Sequence, residues 1–351
     1  MKKTPLVSIC TPNYNHAHFM EQCIESVLAQ TYPNIEYSIL DNQSADDSVD
    51  IARKYAKSGV NVCRNTLNVM NASYGILLGN LSSRTSEYMM LLPADDYIEP
   101  TFVEECVKVM EEHHNVGYVH AERDFVTDDG ELIELDPFYD RSFIVGGENV
   151  MPIYMMTTVA HPAQALYRRN AFNKSGGYGM PVDHFNVDKA LWFYMSAVSD
   201  YAYIRKKLSR VRIGMQTETT ITQKNFQHPI LAYMTLLEFI DHAERNGFSA
   251  VLERKDKALL KLSGEFLSHV AAAMLDNEPL LAKRYLTFCK LISRDIESDK
   301  AYAEMEAMLL SGSFDREKLK SFCTLETVRK RGYLPPDGYK EIDLKTGGEQ
   351  A

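Results

Sequence analysis

The sequence predicts an α/β protein with a mainly parallel sheet flanked by helices, followed by a C-terminal all-helical appendage. In the first part of the chain, short apolar runs alternate with amphipathic helical stripes across short links, which is the pattern of right-handed βαβ units. From Phe226 onward the apolar residues recur with the 3.6-residue helical period instead. We therefore divide the chain into an α/β domain at 1–220, a helical domain at 221–334 and a polar tail at 335–351.

Four strands are predicted in the first hundred residues, and a helix follows each of them. The strands span 6–11, 35–40, 60–63 and 88–92. The first three are followed by helical patterns at 18–30, 46–56 and 71–81. The fourth strand ends at Leu92, and a further helix begins at Phe102, shortly after Pro100. Three of these strands end in clusters of polar residues.

The polar clusters are Pro12–Asn15, Asp41–Ser44 and the pair Asp95-Asp96. The carboxyl ends of the strands of an open α/β sheet are where ligands bind, so we expect the three clusters to converge. Two adjacent carboxylates repel each other unless a cation or strong donors hold them. A divalent cation between this pair and a diphosphate is the simplest use of the two groups. Helix capping and first-turn charges remain the alternative explanation for the acidic clusters.

Composition and charge exclude several classes of function. The chain has 351 residues and a formal net charge of -10, so we expect no broad nucleic-acid-binding surface. Its six cysteines are scattered without a Cys-x-x-Cys pair, which is typical of a reduced, cytoplasmic protein. We expect neither a signal peptide nor a membrane span, and we leave open a peripheral position at the inner face of the membrane. No strand is followed by the glycine-rich loop of a nicotinamide dehydrogenase or a nucleotidyltransferase.

Four segments stand out by their order and spacing: VSICTPNYN at 7–15, IESVLAQTYPNIE at 24–36, LDNQSAD at 40–46 and ADD at 94–96. Together they resemble the signatures of family 2 glycosyltransferases, which have the Rossmann-like GT-A fold. The similarity extends over residues 5–215. It implies an inverting enzyme of polysaccharide or related glycan synthesis. Such an enzyme transfers a sugar from a nucleoside-diphosphate sugar to a hydroxyl of a glycan, a lipid-linked glycan or a protein, with Mn²⁺ or Mg²⁺ as cofactor.

The resemblance also implies roles for residues at the strand ends. The base and ribose of the donor would be held by Pro12, Tyr14, Asp41 and Asn42. Asp96 would bind the metal on the diphosphate, with Asp95 beside it.

The same resemblance assigns the catalytic base to Asp188, which lies four positions before Trp192 at the start of a helix. Asp183 is the alternative base. The chain departs from the family pattern at Asn42, which replaces a second acidic residue, and at Pro93, which replaces the first acid of Asp-x-Asp. The histidine expected soon after Arg212 is also missing, so its contact is lost or supplied by another residue. These departures leave open a non-catalytic sugar- or protein-binding module on the same fold.

Three further expectations concern the remaining motifs. His120, Glu122 and Asp124 alternate along a predicted strand at 116–125, and we expect them to form its solvent face. The pairs His16/His18 and His113/His114 have no third ligand at zinc-like spacing, so we expect them in loops or on the surface. In the helical domain we expect the apolar stripes to form an intramolecular core, and we leave open a homo-oligomer, an acceptor platform or a membrane contact. No Lys/Arg-rich amphipathic face stands out there.

Overall fold

The computed structural model describes residues 4–68, 85–179, 187–213, 226–323 and 331–344. The chain divides into two compact units. The first comprises 1–151, 158–214 and 331–351, and the second comprises 152–157 and 215–330. The helix expected at 71–81 lies outside the described residues.

One mixed sheet organises the first unit. Its strands are β1 (Val7–Asn13), β2 (Ile35–Asp41), β3 (Val60–Arg64), β4 (Tyr88–Leu91), β5 (Tyr97–Ile98), β6 (Val116–Thr127), β7 (Leu132–Ile133), β8 (Phe143–Val145), β9 (Ala165–Arg168), β10 (Asp200–Ile213) and β11 (Lys340–Glu341). The order across the sheet is β11-β8-β10-β6-β9-β4-β1-β2-β3, with β5 on β10 and β7 on β6. The pairs β3-β2, β2-β1, β1-β4 and β6-β10 are parallel. The predicted α/β class is therefore confirmed.

The described helices of the first part are α1 (Ala17–Leu28), α2 (Ser48–Lys54), α3 (Phe102–Glu112), α4 (Gly147–Met156), α5 (Arg169–Lys174) and α6 (Val187–Ser196). The described helices of the second part are α7 (Gln227–Asn246), α8 (Ser249–Leu252), α9 (Lys255–Glu265), α10 (Leu267–Leu275), α11 (Pro279–Ile292), α12 (Lys300–Ser311) and α13 (Arg316–Cys323). The predicted helical C-terminal region is also confirmed.

The core of the first unit forms where the amphipathic helices cover the sheet. All four residues of β4 are buried, as expected for a central strand with both faces covered. Helix α1 packs its apolar stripe into the same core through Met20, Cys23, Ile24 and Val27. Burial of each such side chain contributes about 1.5–3 kcal/mol.

The direction of β9 matters for the position of the site. β9 runs antiparallel to both of its neighbours, β4 and β6. The residues that precede β9 therefore lie at the same edge of the sheet as the carboxyl ends of β4 and β6. β10 is parallel to β6, so its carboxyl end reaches that edge as well.

The prediction that His120, Glu122 and Asp124 form a solvent face of β6 is wrong. His120 and Glu122 are fully buried, and Asp124 is only 3% exposed. β6 lies between β9 and β10, and its two buried carboxylates have the cationic partners that burial of a charge requires. Glu122 Oε1 lies 3.0 Å from Arg331 Nη2, and Asp124 Oδ1 lies 2.6 Å from a lysine amine of β10.

The segment 331–344 belongs to the first unit, which differs from the expected polar tail. Gly332 N donates to the Pro137 carbonyl at 2.8 Å, and Asp140 N donates to the Tyr333 carbonyl at 3.0 Å. β11 then pairs antiparallel with β8. These backbone hydrogen bonds and the ion pair with the buried Glu122 carboxylate attach the segment to the first unit. Hydropathy reveals neither kind of interaction.

The second unit has its own core of helices α9 to α13. One helical stretch, Lys255–Leu275, is long and apolar enough to cross a membrane by length and composition. In its apolar 18-residue window, 44% is buried in the structure. Its second half is α10, which packs against α11 and α13, and this packing explains its apolar composition.

Gly147 offers a test of how the first unit packs. A Cβ at Gly147 would lie 2.0 Å from the Ser196 carbonyl oxygen and 2.2 Å from the Ser199 carbonyl oxygen. Because both contacts are with backbone, we predict that Gly147→Ala lowers the free energy of unfolding by about 2 kcal/mol or more. Gly146→Ala is the matched control, since its Cβ would be 4.0 Å from Asn149. Equal urea midpoints for the two variants would contradict the packing described here.

Candidate functional site

A hydrogen-bonded cluster joins the loop after β1 to the loop after β2. Asn13 Nδ2 donates to Asp41 Oδ1 at 2.8 Å and to Ser44 Oγ at 3.1 Å. Asn15 N donates to the same Ser44 oxygen at 2.9 Å, and Asn15 Oδ1 accepts from Ala45 N at 2.7 Å. The first two predicted strand ends therefore converge, as expected for neighbouring parallel strands.

The Asp41 carboxylate is the centre of this cluster. It is 1% exposed, and Arg64 Nε lies 3.2 Å from its Oδ2 atom. Ser44 N also donates to Oδ2, at 3.0 Å. Asn42 N donates to the Asn13 carbonyl at 2.8 Å, and its side chain bonds to Asn65 at 3.0 Å. These hydrogen bonds fix the loop after β1 and the loop after β2 in one conformation relative to each other.

Tyr14 projects from this rigid base. Its neighbour Asn15 and Gln43 on the opposite loop both have left-handed backbone conformations, with φ of 57° and 65°. Asparagine tolerates this region better than most residues. Tyr14 is 48% exposed and Pro12 is half-buried. An exposed ring on a fixed loop can stack on a flat ligand such as a nucleobase.

Arg212, at the end of β10, fixes the Asp95-Asp96 loop. Its backbone N donates to Asp96 Oδ1 at 2.8 Å, and its Nε donates to the Asp95 carbonyl at 3.0 Å. Its guanidinium carbon lies 4.1 Å from the centroid of the Phe19 ring, and Nη2 donates to Gln22 at 2.9 Å. The Arg212 side chain therefore has a structural role, because its contacts with the protein position the Asp95-Asp96 loop. Its neighbour Arg210 pairs with Glu99 at 3.0 Å.

His161 was not among the predicted site residues, and it lies against Asp96. Its Nδ1 atom is 3.2 Å from Asp96 Oδ2. It is placed there by the antiparallel direction of β9, which it precedes. Gln164 fixes the approach, because its Oε1 atom accepts from His161 N at 2.8 Å and its Nε2 donates to the Ala121 carbonyl at 2.6 Å.

Asp188 occupies the first turn of α6. The helix is held against the sheet by Trp192, which is fully buried and donates from Nε1 to the Tyr167 hydroxyl at 3.3 Å. The Trp192 ring also meets the buried His120 ring edge-on at 4.6 Å. Burial lowers the pKa of His120 to about 3, so this imidazole is neutral. The position of α6 is thus fixed by the packing of Trp192, which lies four residues after Asp188.

The electrostatics connect Asp96, His161 and Asp188. Burial raises the pKa of the Asp188 carboxyl, and the charge of His161 opposes this shift. Burial lowers the pKa of His161, but the Asp96 carboxylate and then Asp188 raise it by more, so the net shift is upward. The pKa of Asp95 is raised by burial and by Asp96, against His16 and His161. His161 therefore interacts electrostatically with both the Asp96 and the Asp188 carboxylate.

The residues present fit a divalent cation. Asp96 Oδ2 and His161 Nδ1 are both buried atoms that lie 3.2 Å apart, and neither has another hydrogen-bond partner among the described residues. A carboxylate oxygen and an imidazole nitrogen are both metal ligands. Within the described ranges, no three His, Cys, Asp or Glu side chains form a cluster that could hold a metal ion. Two protein ligands suffice when diphosphate oxygens and water complete the shell, as is usual for Mg²⁺.

The sequence predicted the carboxylates of Asp41 and Asp96 as site groups, but it did not predict which residues contact them. Arg64 reaches the site through strand pairing and carries no signal by itself, whereas Asn13 lies within the predicted cluster Pro12–Asn15. The His161-Pro162 step before an apolar strand was the available clue. The alternative base Asp183 and the segment 214–216, where the family histidine was expected, lie outside the described residues. The pairs His16/His18 and His113/His114 are partly or fully exposed.

Comparisons with known proteins match the family that the sequence resembles. Residues 8–176 match the family model described as Glycosyl transferase family 2. An uncharacterized glycosyltransferase of Rickettsia prowazekii is 25% identical over 282 residues, which are 78% of this chain and 81% of the relative. A chondroitin synthase of Escherichia coli is 25% identical over 211 residues, which are 59% of this chain and 29% of the relative.

Among solved structures, S. aureus TarS (residues 1–349) in complex with UDP-GlcNAc has a TM-score of 0.52 and 17% identity. The match covers 89% of this chain and 93% of that one. At this identity the likeness concerns the fold, and it supports the GT-A architecture expected from the sequence.

The Asp41 cluster generates a stability prediction. We predict that Asp41→Asn lowers the free energy of unfolding by about 2 kcal/mol, because Arg64 loses its charged partner and Ser44 N a charged acceptor. Asp50→Asn is the matched control, since its pair with Arg53 is exposed, with side chains 80% and 63% accessible. That variant should change stability by less than about 0.5 kcal/mol. Equal effects in urea denaturation would refute the structural role of Asp41.

Proposed function

Since the chain belongs to glycosyl transferase family 2, we propose that it is an inverting glycosyltransferase. It moves a sugar from a nucleoside-diphosphate sugar to a hydroxyl of a glycan, a lipid-linked glycan or a protein, with Mn²⁺ or Mg²⁺ bound at the diphosphate. That the protein is a glycosyltransferase follows from its relatives. The stereochemistry, the metal and the donor are the proposal.

The observation that carries the proposal is the contact of His161 with Asp96, together with its electrostatic interaction with Asp188. Asp96 follows β4, His161 precedes β9 and Asp188 begins α6, so three distant parts of the chain supply one polar site. His161 is 3.2 Å from Asp96 and interacts electrostatically with Asp188. A cation-binding acid and a separate acid with a raised pKa are the two groups that the reaction requires.

The donor half of the site is built from the predicted strand ends. Tyr14 and Pro12 would contact the nucleobase, and Asp41 and Asn42 would line the base and ribose. Because the Asp41 oxygens already bind three protein partners, Asp41 would act mainly by shaping the pocket, with one lone pair left for a ligand. The UDP-GlcNAc complex of TarS supports a nucleotide sugar as the ligand of this fold.

The chain's groups divide the chemistry between them. A bound divalent cation would neutralise charge on the departing diphosphate. Asp96 would hold it, and His161 would provide the second protein ligand in place of the family histidine. Asp188 would accept the proton of the acceptor hydroxyl as that oxygen attacks the anomeric carbon from the face opposite the diphosphate. Its raised pKa suits this task, because a base must be strong enough to take the proton yet ionised at working pH.

The base assignment is tested by two matched variants. We predict that Asp188→Asn lowers kcat about a hundredfold or more with donor binding retained, because the amide cannot take the proton of the acceptor hydroxyl. Asp183→Asn should keep near-normal turnover. Release of nucleoside diphosphate in the presence of acceptor measures both. If Asp183→Asn loses turnover while Asp188→Asn keeps it, Asp183 is the base.

Asp188 also predicts a pH dependence of stability. Its pKa is raised in the folded state, so stability falls as pH rises from the ordinary carboxyl range through the folded pKa. Asp188→Asn removes that cost, and the variant should be more stable than wild type at pH 7. The difference should vanish below about pH 4, where the carboxyl is protonated in both states. A variant less stable than wild type at pH 7 would contradict the cause given for the shift.

The metal site is tested by binding rather than turnover. We predict that Asp96→Ala abolishes the Mn²⁺-dependent part of nucleotide-sugar binding in calorimetry. His161→Ala should weaken Mn²⁺ binding about tenfold or more, measured by electron paramagnetic resonance with UDP present. His114→Ala, on an exposed surface, is the control. Wild-type Mn²⁺ affinity in His161→Ala would remove His161 from the metal site.

Thermal shift with a panel of nucleotide sugars, with and without Mn²⁺, would identify the donor, because a ligand bound only by the native state raises Tm. A Tm that responds to no nucleotide sugar under either condition would contradict the donor proposal.

A further inference from the structure

Helix α11 carries an unusual concentration of positive charge for this protein. The chain has a net charge of -10, yet residues 279–294 contain four basic residues and no acidic one. Those basic residues are Lys283, Arg284, Lys290 and Arg294. The sequence did not reveal this face, because the same helix also carries the apolar stripe that packs into the core.

The structure separates the two faces of α11. Its buried side consists of Ala282, Tyr285, Leu286, Cys289 and Ile292. The opposite side has two leucines exposed to solvent, Leu280 at 74% and Leu291 at 69%. At 3.6 residues per turn, the two leucines and the three cations within α11 fall within an arc of about 120°. Arg294 lies just beyond the end of the helix and lines the same groove as these residues. We call this outward surface, Leu280, Lys283, Arg284, Lys290, Leu291 and Arg294, the basic face.

Most of the charge on the basic face is uncompensated. Lys290 pairs with Glu297. Within the described part of the chain, Lys283, Arg284 and Arg294 form no ion pair. An open groove of about 780 Å³ runs along the same face, and the half-buried rings of Phe226 and Phe288 line it together with the leucines. Cations interleaved with exposed leucines beside an apolar groove form a surface complementary to anionic headgroups above acyl chains.

We propose that the basic face of α11 binds the surface of an anionic phospholipid bilayer. The three unpaired cations contact lipid phosphates, and Leu280 and Leu291 insert among the outermost acyl carbons. The interaction is peripheral, because the other side of α11 remains in the core of the helical unit. This binding is independent of the donor chemistry proposed above.

A second copy of the chain is a poorer occupant of the basic face. A two-fold interface would place the same cations opposite one another, and like charges across an interface are unfavourable. A neutral membrane would not compensate the charge either. The charge of the face therefore selects an anionic surface.

Vesicle cosedimentation tests the proposal with the full chain. Wild type should bind vesicles that contain phosphatidylglycerol and should not bind pure phosphatidylcholine vesicles. Each basic residue near an anionic surface strengthens binding about fivefold, so Lys283→Glu/Arg284→Glu/Arg294→Glu should weaken binding about a hundredfold or more. Lys54→Glu/Lys57→Glu/Lys174→Glu is the charge-matched control, at exposed positions of the first unit, and it should retain binding.

The insertion of Leu280 and Leu291 is tested by a separate variant with a matched control. Leu280→Ser/Leu291→Ser should weaken binding to the anionic vesicles, whereas Leu310→Ser, at a leucine that is 84% exposed on α12, should not. Equal binding to neutral and anionic vesicles, or full binding by the triple Glu variant at α11, would overturn the proposal. So would a dimer in solution that the leucine variants dissociate without any vesicle binding, which would assign the face to self-association.

Discussion

The site depends on one constraint, the common edge at which strands of the sheet begin or end. Asp96 is buried at that edge, with one oxygen bound by Arg212 N and the other 3.2 Å from His161. A buried carboxylate is costly unless it is paired and hydrogen-bonded. The loop after β4 therefore has its position fixed by the end of β10 and the start of β9. Asp188, in the first turn of α6, interacts electrostatically with the same imidazole.

Local patterns in the sequence were enough to predict the strands and the acidic residues at their ends. Apolar runs indicated β1, β2, β3 and β4, and the polar residues after three of them indicated Asp41 and Asp96. Pairing across the sheet lies beyond such patterns. His161 enters only because β9 runs antiparallel between β4 and β6, and Asn13 becomes important because its amide bonds to Asp41 on the neighbouring strand.

The same limit explains the misjudged strand and tail. Alternating His120, Glu122 and Asp124 look like a solvent face until Arg331, more than two hundred residues later, returns to pair with Glu122 at 3.0 Å. Residues 335–344 are part of the segment predicted as a polar tail, because hydropathy does not reveal the backbone pairing of β11 with β8. In the helical unit, periodicity predicted α11 but not which of its residues stay exposed, and its basic face follows from that exposure.

The most direct test of the account is paramagnetic broadening of histidine signals. The central claim is that Asp96 and His161 hold one divalent cation beside the donor diphosphate. With ¹⁵N-labelled histidine, UDP and substoichiometric Mn²⁺, the His161 imidazole signal should disappear first, while His113 and His114 remain sharp. Asp96→Ala should abolish this selectivity. A sharp His161 signal in wild type, under conditions where Mn²⁺ and UDP are bound, would contradict the account.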